Sequence, residues 1–449
     1  MLKNTSFLKK FIPLILVVIF TFSLTCCNKP AEEEVTAQIA VEESLNLCLK
    51  EEYATASFNP YLLINGERAE GEFSYESADS SIATVTDQGV INALTEGVAN
   101  ISISTTYEGQ TLTATSSVKV YATVEESQVN SFNKQSLNLF GRVVVSGGRV
   151  KKLKVDHAAS GFEVSFFGTQ LTVTASATEI IYCRYFVDGE SEGTFKKVWN
   201  ASTEYQVAKD LKEGYHTVRF LKCSELTDGL LTIENISTDG VFVTPEKRNL
   251  KIEFIGDSIT AGYGSLGKNP DARSVKNSDG TKALAYLTAQ KLNADYSIIA
   301  LAGIAINVHM WRTDITMNEL YKQLTLNDTS AYDFESWQPD VVVCLMGENS
   351  YGYCVNKDPS YFSRYPNDYL QFLQYIKSVR PNAKIVCVYG MMNYDVNIHN
   401  AITKSAATLG QGATCLLMKG NFDGAGAHPN EKAQKEYASI IAEHIRSIT

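Results

Sequence analysis

Five short, nearly unbroken apolar runs divide the segment from Asn249 to the C-terminus: Lys251–Ile255, Tyr296–Leu301, Val341–Met346, Lys384–Tyr389 and Thr414–Met418. A strand that is apolar on both faces must be covered on both faces. A parallel sheet with helices on either side provides that cover. The intervening stretches carry helical spacing. Tyr369, Phe372, Leu373, Ile376 and Val379 share one face, and Ala433, Tyr437, Ile440, Ile441 and Ile445 share another after a capping Asn430. Residues 247–449 are therefore expected to form an α/β domain with a five-stranded parallel sheet. Ligands of such a sheet bind beyond the carboxyl ends of its strands.

Upstream the grammar is that of strands alone. In 123–246, Phe162, Val164 and Phe166 alternate with other positions, as do Leu171, Val173 and Ala175. Tyr185–Glu190 contains an Asp-Gly hairpin signal, and Gly214–Phe220 alternates again. This predicts a β-sandwich of the jelly-roll kind. Residues 41–122 alternate short β-type runs with turn signals and show no sustained helical period, so a further β-sandwich precedes it. The fold class is thus multidomain: two N-terminal β-sandwiches, then an α/β domain.

The N-terminus bears on compartment. Lys3, Lys9 and Lys10 precede the 14 apolar-rich residues Phe11–Leu24. That is a signal-peptide length, short of the ~18 residues a spanning helix needs. The stretch ends in Leu24-Thr25-Cys26-Cys27, which resembles a bacterial lipobox with Cys27 as the acylated residue. Residues 1–27 are read as a lipoprotein signal peptide and 28–40 as a charged tether. The chain is expected outside the cytoplasm, held to a bacterial membrane by its lipid.

Forty Lys and Arg against fifty Asp and Glu give a net charge of −10 over 449 residues, with no basic block. Nucleic acid is an unsuitable partner for such a chain, since phosphates would meet no cationic footprint. Seven of the nine Cys lie beyond the signal region, an odd number. Cys344 and Cys387 sit in apolar strands, where Cys acts as a small buried hydrophobe. No CxxC or Cys/His spacing suggests zinc, and neither metal nor organic cofactor is expected.

The chemistry begins in Ile252-Glu-Phe-Ile-Gly-Asp-Ser-Ile-Thr-Ala-Gly-Tyr-Gly264. Ser258 closes a buried strand where a helix starts, which exposes it in a cleft. It is not the G-x-S-x-G elbow, because residue 260 is Thr.

Gly-Asp-Ser-Ile-Thr resembles the first conserved block of the SGNH hydrolases, also called GDSL esterases. Gly303 in Ala300-Leu-Ala-Gly-Ile matches the second block. Gly347 and Asn349 in Gly-Glu-Asn-Ser match the third, and His428-Pro429 the last. All four lie at the carboxyl ends of strands, the first, second, third and fifth, so the fold would gather them. Asn318-Glu-Leu-Tyr and Trp337-Gln-Pro-Asp-Val-Val-Val343, behind a β-sandwich, are similar to carbohydrate esterase family 2. That resemblance implies removal of O-acetyl groups from plant polysaccharides such as xylan and glucomannan. Phe73–Val85, Asp87–Leu94 and Glu96–Ile103 resemble the bacterial Ig-like domains of group 2. Such a domain serves either as a rigid spacer, the reading favoured here, or in adhesion and glycan binding.

The resemblance assigns roles. Ser258 would be the nucleophile and His428 its base, then the acid for the departing sugar. The backbone N–H groups of Ser258 and Gly303 and the Asn349 amide would stabilise the oxyanion. The family pattern has Asp three residues before the His, where this chain has Ala425. Two before, it has Gly426. Either Asp423 folds back to the imidazole or a backbone carbonyl orients it, and the Ser–His dyad is slightly favoured. Glu348 and Ser350 also depart from the third block. Two further readings stay open: an SGNH esterase for another acyl ester, or an inactive glycan-binding surface protein. His309 could line the cleft but is more simply a packing residue. His157, His216, His399 and His444 read as structural. Tyr351, Tyr353 and Tyr361 are candidates for a sugar-stacking rim. Asp314 and Glu319 form no glycosidase pair.

Overall fold

The computed structural model describes residues 35–410 and 412–449. The expected signal peptide, Cys27 and the first part of the tether lie outside the described residues. Among the described residues no helix is long and apolar enough to cross a membrane.

The C-terminal domain is built on strands β1 (Lys251–Gly256), β2 (Asp295–Ala300), β3 (Val341–Cys344), β4 (Lys384–Tyr389) and β5 (Ala413–Leu417). They pair in parallel in the order β2-β1-β3-β4-β5. Their apolar character follows from double coverage. Ile252, Phe254, Val341 and Val343 face one core with Leu284, Ala438 and Ile441. Ile255, Val342 and Cys344 face the other with Tyr369, Phe372, Ile376 and Ile402. Six helices matter here: α1 (Ser258–Ala261), α2 (Leu284–Lys291), α3 (Glu348–Asn356), α4 (Tyr361–Val379), α5 (Val396–Leu409) and α6 (Glu431–Ile448). Helices α2 and α6 cover the first core, α4 and α5 the second. Asn430 caps α6 through the Ala433 N–H at 3.0 Å.

Ile440 departs from the expected α6 face: it is 47% exposed. At 100° per residue, Ala433, Tyr437, Ile441 and Ile445 stack along one line, and Ile440 lies a full step off it. Cys344 pairs in register with Cys387, and Cys387 with Cys415. All seven described Cys are free thiols.

Because β1 lies between β2 and β3, the chain leaves it in opposite directions. The crevice outside the carboxyl ends of β1 and β3 is the topological switch point. Ser258 follows β1 and Asn349 follows β3, so both open onto that crevice.

Residues 125–211, 216–240 and 245–449 form one compact unit, so the second β-rich segment and the α/β domain fold as one body. One sheet of the β-rich part runs Val143–Ser146, Lys152–Val155, Leu231–Thr238, Leu171–Ala177, Thr203–Ala208. The facing sheet includes Gly161–Gly168, Gly214–Lys222, Ile181–Val187 and Thr194–Val198 in spatial order. Phe140, Ala159, Phe186 and Leu221 share the core of the α/β domain. Tyr296 O–H donates to Ala159 O at 2.7 Å.

The other unit comprises 35–124 with 212–215 and 241–244. The last segment belongs there because Val243 and Phe242 pair with Thr123 and Val124. Its strands form sheets of three, four and three strands around Ile39, Leu47, Ile91, Ile101, Ile103 and Val118. Ala37–Ala40, expected within the tether, is instead a strand paired with Tyr61–Ile64. Ala37, Ile39 and Ala40 are buried there, which draws the segment into the core.

Candidate active site

Asp257 follows β1 with φ −119° and ψ −149°, and its side-chain Oδ1 accepts the Ile259 N–H at 3.0 Å. This cap starts α1 one residue later and turns the Ser258 side chain toward the crevice. Ser258 Oγ lies 2.8 Å from His428 Nε2.

His428 sits on the loop between β5 and α6. Gly426 takes φ +63°, a left-handed turn that suits glycine. The turn directs the Gly426 carbonyl to His428 Nδ1 at 2.8 Å. Donation of Nδ1–H to that carbonyl leaves Nε2 unprotonated toward Ser258, the tautomer a general base requires. The loop is braced from several sides. Gly426 N–H donates to Asp271 O at 2.8 Å, Ala425 N–H to Gly264 O at 3.0 Å, and Gly424 N–H to His428 O at 2.7 Å. Burial pushes the imidazole pKa down, the Gly426 bond opposes this, and the Arg273 charge adds to it.

Asp423 does not join the pair. Its exposed carboxylate accepts Asn421 Nδ2–H at 2.7 Å, and its carbonyl accepts the Asn269 N–H at 2.8 Å. The short Gly426 turn brings that residue's own carbonyl to the ring and leaves Nδ1 no free proton.

Gly303 follows β2 with φ +77°. A Cβ there would lie 2.5 Å from the Trp311 ring and 2.8 Å from His309 Cε1. Both the conformation and the crowding require glycine. Among the described residues, neither the Ser258 nor the Gly303 N–H donates to a protein acceptor. Asn349 Nδ2 lies 3.1 Å from Asp257 Oδ2 and 3.1 Å from the Ile304 carbonyl. Both its protons are thus held, and one must be released before the amide can serve a substrate oxygen. Burial and the Glu348 charge push Asp257 up to about 8. A carboxyl kept neutral holds the Asn349 proton less tightly than a carboxylate would.

Of the two departures in the third block, Glu348 has a structural use, whereas the buried Ser350 hydroxyl finds no hydrogen-bond partner among the described residues. The buried Glu348 carboxylate accepts the N–H groups of Gly390, Met391, Met392 and Asn393 at 2.7–3.3 Å. It ties the start of α3 to the loop after β4. Burial pushes Glu348 up to about 6, against the pull of those four bonds. His309 is buried, and its Nδ1 accepts the N–H groups of Trp311 and Arg312 at 3.1 and 3.3 Å. It builds the loop beside Gly303. His157 is buried and held neutral, its pKa pushed down to about 3 by desolvation. His216 pairs with Asp188, His399 with Tyr394 and His444 with Thr414. Tyr361 is buried in the α/β core and forms no rim, whereas Tyr351 and Tyr353 remain partly open.

Several neighbours escape a reading of motifs. Tyr263 packs on His428 with ring centroids 4.4 Å apart, and Arg273 lies over Tyr263 at 5.0 Å. Arg273 pairs with Asp228, and the Ala302 N–H donates to Glu225. Asp228 and Glu225 come from the β-rich domain, far from any block in sequence. Tyr263 alone had a visible signal, since it lies in the same Gly256–Gly264 segment as Ser258.

A three-layer α/β fold with a Ser–His pair beyond its strand ends defines a serine esterase of the SGNH type. The comparisons agree. The GDSL-like Lipase/Acylhydrolase family model matches residues 254–447, and the Carbohydrate esterase 2 N-terminal model matches 139–245. The chain is a carbohydrate acetylesterase with the two-domain build of carbohydrate esterase family 2. It is 26% identical over 333 residues to an acetylxylan esterase / glucomannan deacetylase of Cellvibrio japonicus, covering 69% of this chain and 90% of that one. It is 27% identical over 240 residues to the cellulase/esterase CelE of Acetivibrio thermocellus, covering 52% of this chain and 29% of that protein. Among solved structures, a carbohydrate esterase family 2 enzyme with a carbohydrate binding domain from Corynascus thermopiles (Myceliophthora fergusii) aligns with a TM-score of 0.64. The identity is 29%, over 70% of this chain and 99% of that one.

Proposed function

We propose that the protein removes O-acetyl groups from a plant-type polysaccharide such as xylan or glucomannan through a Ser258–His428 dyad. The observation that carries this reading is the 2.8 Å contact between Ser258 Oγ and His428 Nε2, with Gly426 O against Nδ1. As Oγ attacks the acetyl carbonyl, its proton passes to Nε2. The carbonyl π electrons move to oxygen, and the Ser258 and Gly303 N–H groups face that charge. Collapse breaks the bond to the sugar oxygen, which takes the proton from Nε2. Water then repeats the sequence on the acetyl-enzyme and releases acetate. Each oxyanion donor is worth ~2.7–4 kcal/mol in such a site.

The wild type should hydrolyse p-nitrophenyl acetate and release acetate from acetylated xylan or glucomannan. Ser258→Ala should abolish both. Turnover by the variant at the wild-type rate would overturn the assignment. Retention of glycan without turnover by the wild type would support the inactive binding protein instead. Activity confined to other acyl esters would redirect the substrate.

The two β-rich parts we read as a group 2 Ig-like spacer (41–122) and a jelly roll (123–246). Cys27 carries the lipid in this reading, which puts the enzyme outside the cytoplasm on a bacterial membrane. Its support is the Leu24-Thr25-Cys26-Cys27 context behind an apolar stretch of signal length. Cys27→Ser should move the protein from the membrane to the soluble fraction, while Cys26→Ser should not. Membrane retention of Cys27→Ser would exclude the anchor.

A further inference from the structure

The loop after strand Gly214–Lys222 of the β-rich domain reaches the block II loop of the α/β domain. Three observations show how firmly it is set. The buried Lys222 ammonium donates to the carbonyls of Asp156, Ser224 and Glu225 at 2.7, 3.0 and 2.6 Å. Gly280 N–H donates to Cys223 O at 2.8 Å. Leu226 is buried in one cluster with Leu301, Ile304 and Ile306, on both sides of Gly303. From this anchored loop the Glu225 side chain, 3% exposed, takes the Ala302 N–H on Oε1. Its Oε2 lies 3.7 Å from Arg273, which also pairs with Asp228.

We propose that Glu225, supplied by the β-rich domain, is a positioning residue that sets the direction of the Gly303 N–H in the oxyanion site. This rests on the esterase reading above. Ala302 immediately precedes Gly303, so pinning the Ala302 N–H leaves only the φ and ψ of Ala302 between that fixed peptide plane and the Gly303 N–H. Gly303 has no side chain to hold its own loop, so the direction of its N–H depends on what holds the residue before it. A buried carboxylate on an N–H makes a short, strong bond; burial pushes the Glu225 pKa up, and the Ala302 N–H and the nearby guanidinium oppose that shift without cancelling it. The same loop holds Arg273 through Asp228, and Arg273 packs on the Tyr263 ring that lies against His428. Both halves of the site are therefore braced from one loop of the other domain, which gives the β-rich domain a part in the chemistry.

The test compares Glu225→Ala, Glu225→Asp and Glu225→Gln on p-nitrophenyl acetate, with thermal melts for folding. Gln keeps an acceptor oxygen at the same reach. Asp keeps the charge but falls short by one methylene. Losing a donor outright costs ~10²–10³ in kcat, so misdirecting one should cost about 10–100-fold. Ala and Asp should show that fall in kcat with KM within about threefold, and Gln should stay within about threefold of wild type in both. Inactivation of Ser258 by an alkyl fluorophosphonate should slow in parallel, since its phosphoryl oxygen uses the same donors. If Ala fails to fold, the Asp–Gln comparison decides. Loss in Gln with full activity in Asp would show that charge matters and reach does not. That result, an unchanged kcat in Ala and Asp, or a loss carried by KM alone would overturn the proposal. An inactive wild type would instead overturn the esterase reading beneath it.

Discussion

His428→Ala should lower kcat/KM on an acetyl ester by about 10³-fold or more, ~4 kcal/mol of transition-state stabilisation. The imidazole is the base within reach of Ser258, and a serine hydroxyl is a weak nucleophile without one. Asp423→Ala should cost less than about tenfold, ~1.4 kcal/mol, because its carboxylate is turned to Asn421 and Gly426 O occupies Nδ1. Where a site is built around an orienting Asp, its loss can cost ~10⁴. A carbonyl that holds the same tautomer removes that dependence. The pH profile carries the same logic. The base works in its neutral form, so activity is present above the pKa of folded His428 and is lost as pH falls through it. Burial and the Arg273 charge depress that pKa. The acid limb of kcat/KM should therefore have its midpoint below the ordinary imidazole value of ~6.5. A midpoint at or above that value, or a large loss in Asp423→Ala with the fold intact, would reject a carbonyl-held dyad.

What the residues disclosed in advance follows from which interactions are local. The α/β sheet was legible because strands covered on both faces cannot tolerate polar residues, and Val341–Cys344 shows this in four letters. Ser258 was legible because it closes a buried strand, and Gly303, Asn349 and His428 were legible through their resemblance to the SGNH blocks; the order of strands brings such ends together. The Asp423 alternative arose because spacing alone cannot tell whether a glycine turn returns a side chain or its own carbonyl. Gly426, with its φ of +63°, returns the carbonyl. Glu225 and Asp228 were not legible. They lie in a β-rich segment with no motif, and their partners Ala302 and Arg273 are set by how two domains pack. Ile440 failed for a simpler reason. A helix face reads as one apolar set in sequence, but its margin is decided by the width of the surface it meets. Lys222 and Glu348 mislead in the same way, since each charged side chain is buried by backbone groups that no residue pattern reveals.

Glu253 is the sharpest instance, and it should dominate stability. It is the single acidic residue in β1, an otherwise apolar strand after Lys251, and its side chain is fully buried. Arg380 grips it with Nη2 at 2.8 Å and Nε at 3.1 Å, Tyr321 O–H donates at 2.6 Å, and Arg142 Nη2 lies 3.6 Å away. Arg142 comes from the β-rich domain, is fully buried, and donates to the carbonyls of Tyr321 and Gln323 at 2.7 Å each. Two guanidinium groups thus share one carboxylate where water cannot screen them. Glu253→Ala removes the anion and leaves both cations buried. Breaking a buried pair in this way costs ~3–5 kcal/mol, because the uncompensated charge, more than the lost contact, sets the penalty. The urea midpoint should fall accordingly, with a drop in melting temperature on the order of 10 °C. Glu253→Gln keeps hydrogen-bond acceptance but not charge, and should fall between. If the orphaned cations are the cause, Arg142→Met should be strongly non-additive with Glu253→Ala. The double variant should then regain at least about 1 kcal/mol over the sum of the single losses. Strict additivity, or a Glu253→Ala loss below about 1 kcal/mol, would mean that the Arg side chains escape to water and that the two domains part more readily than their shared core implies.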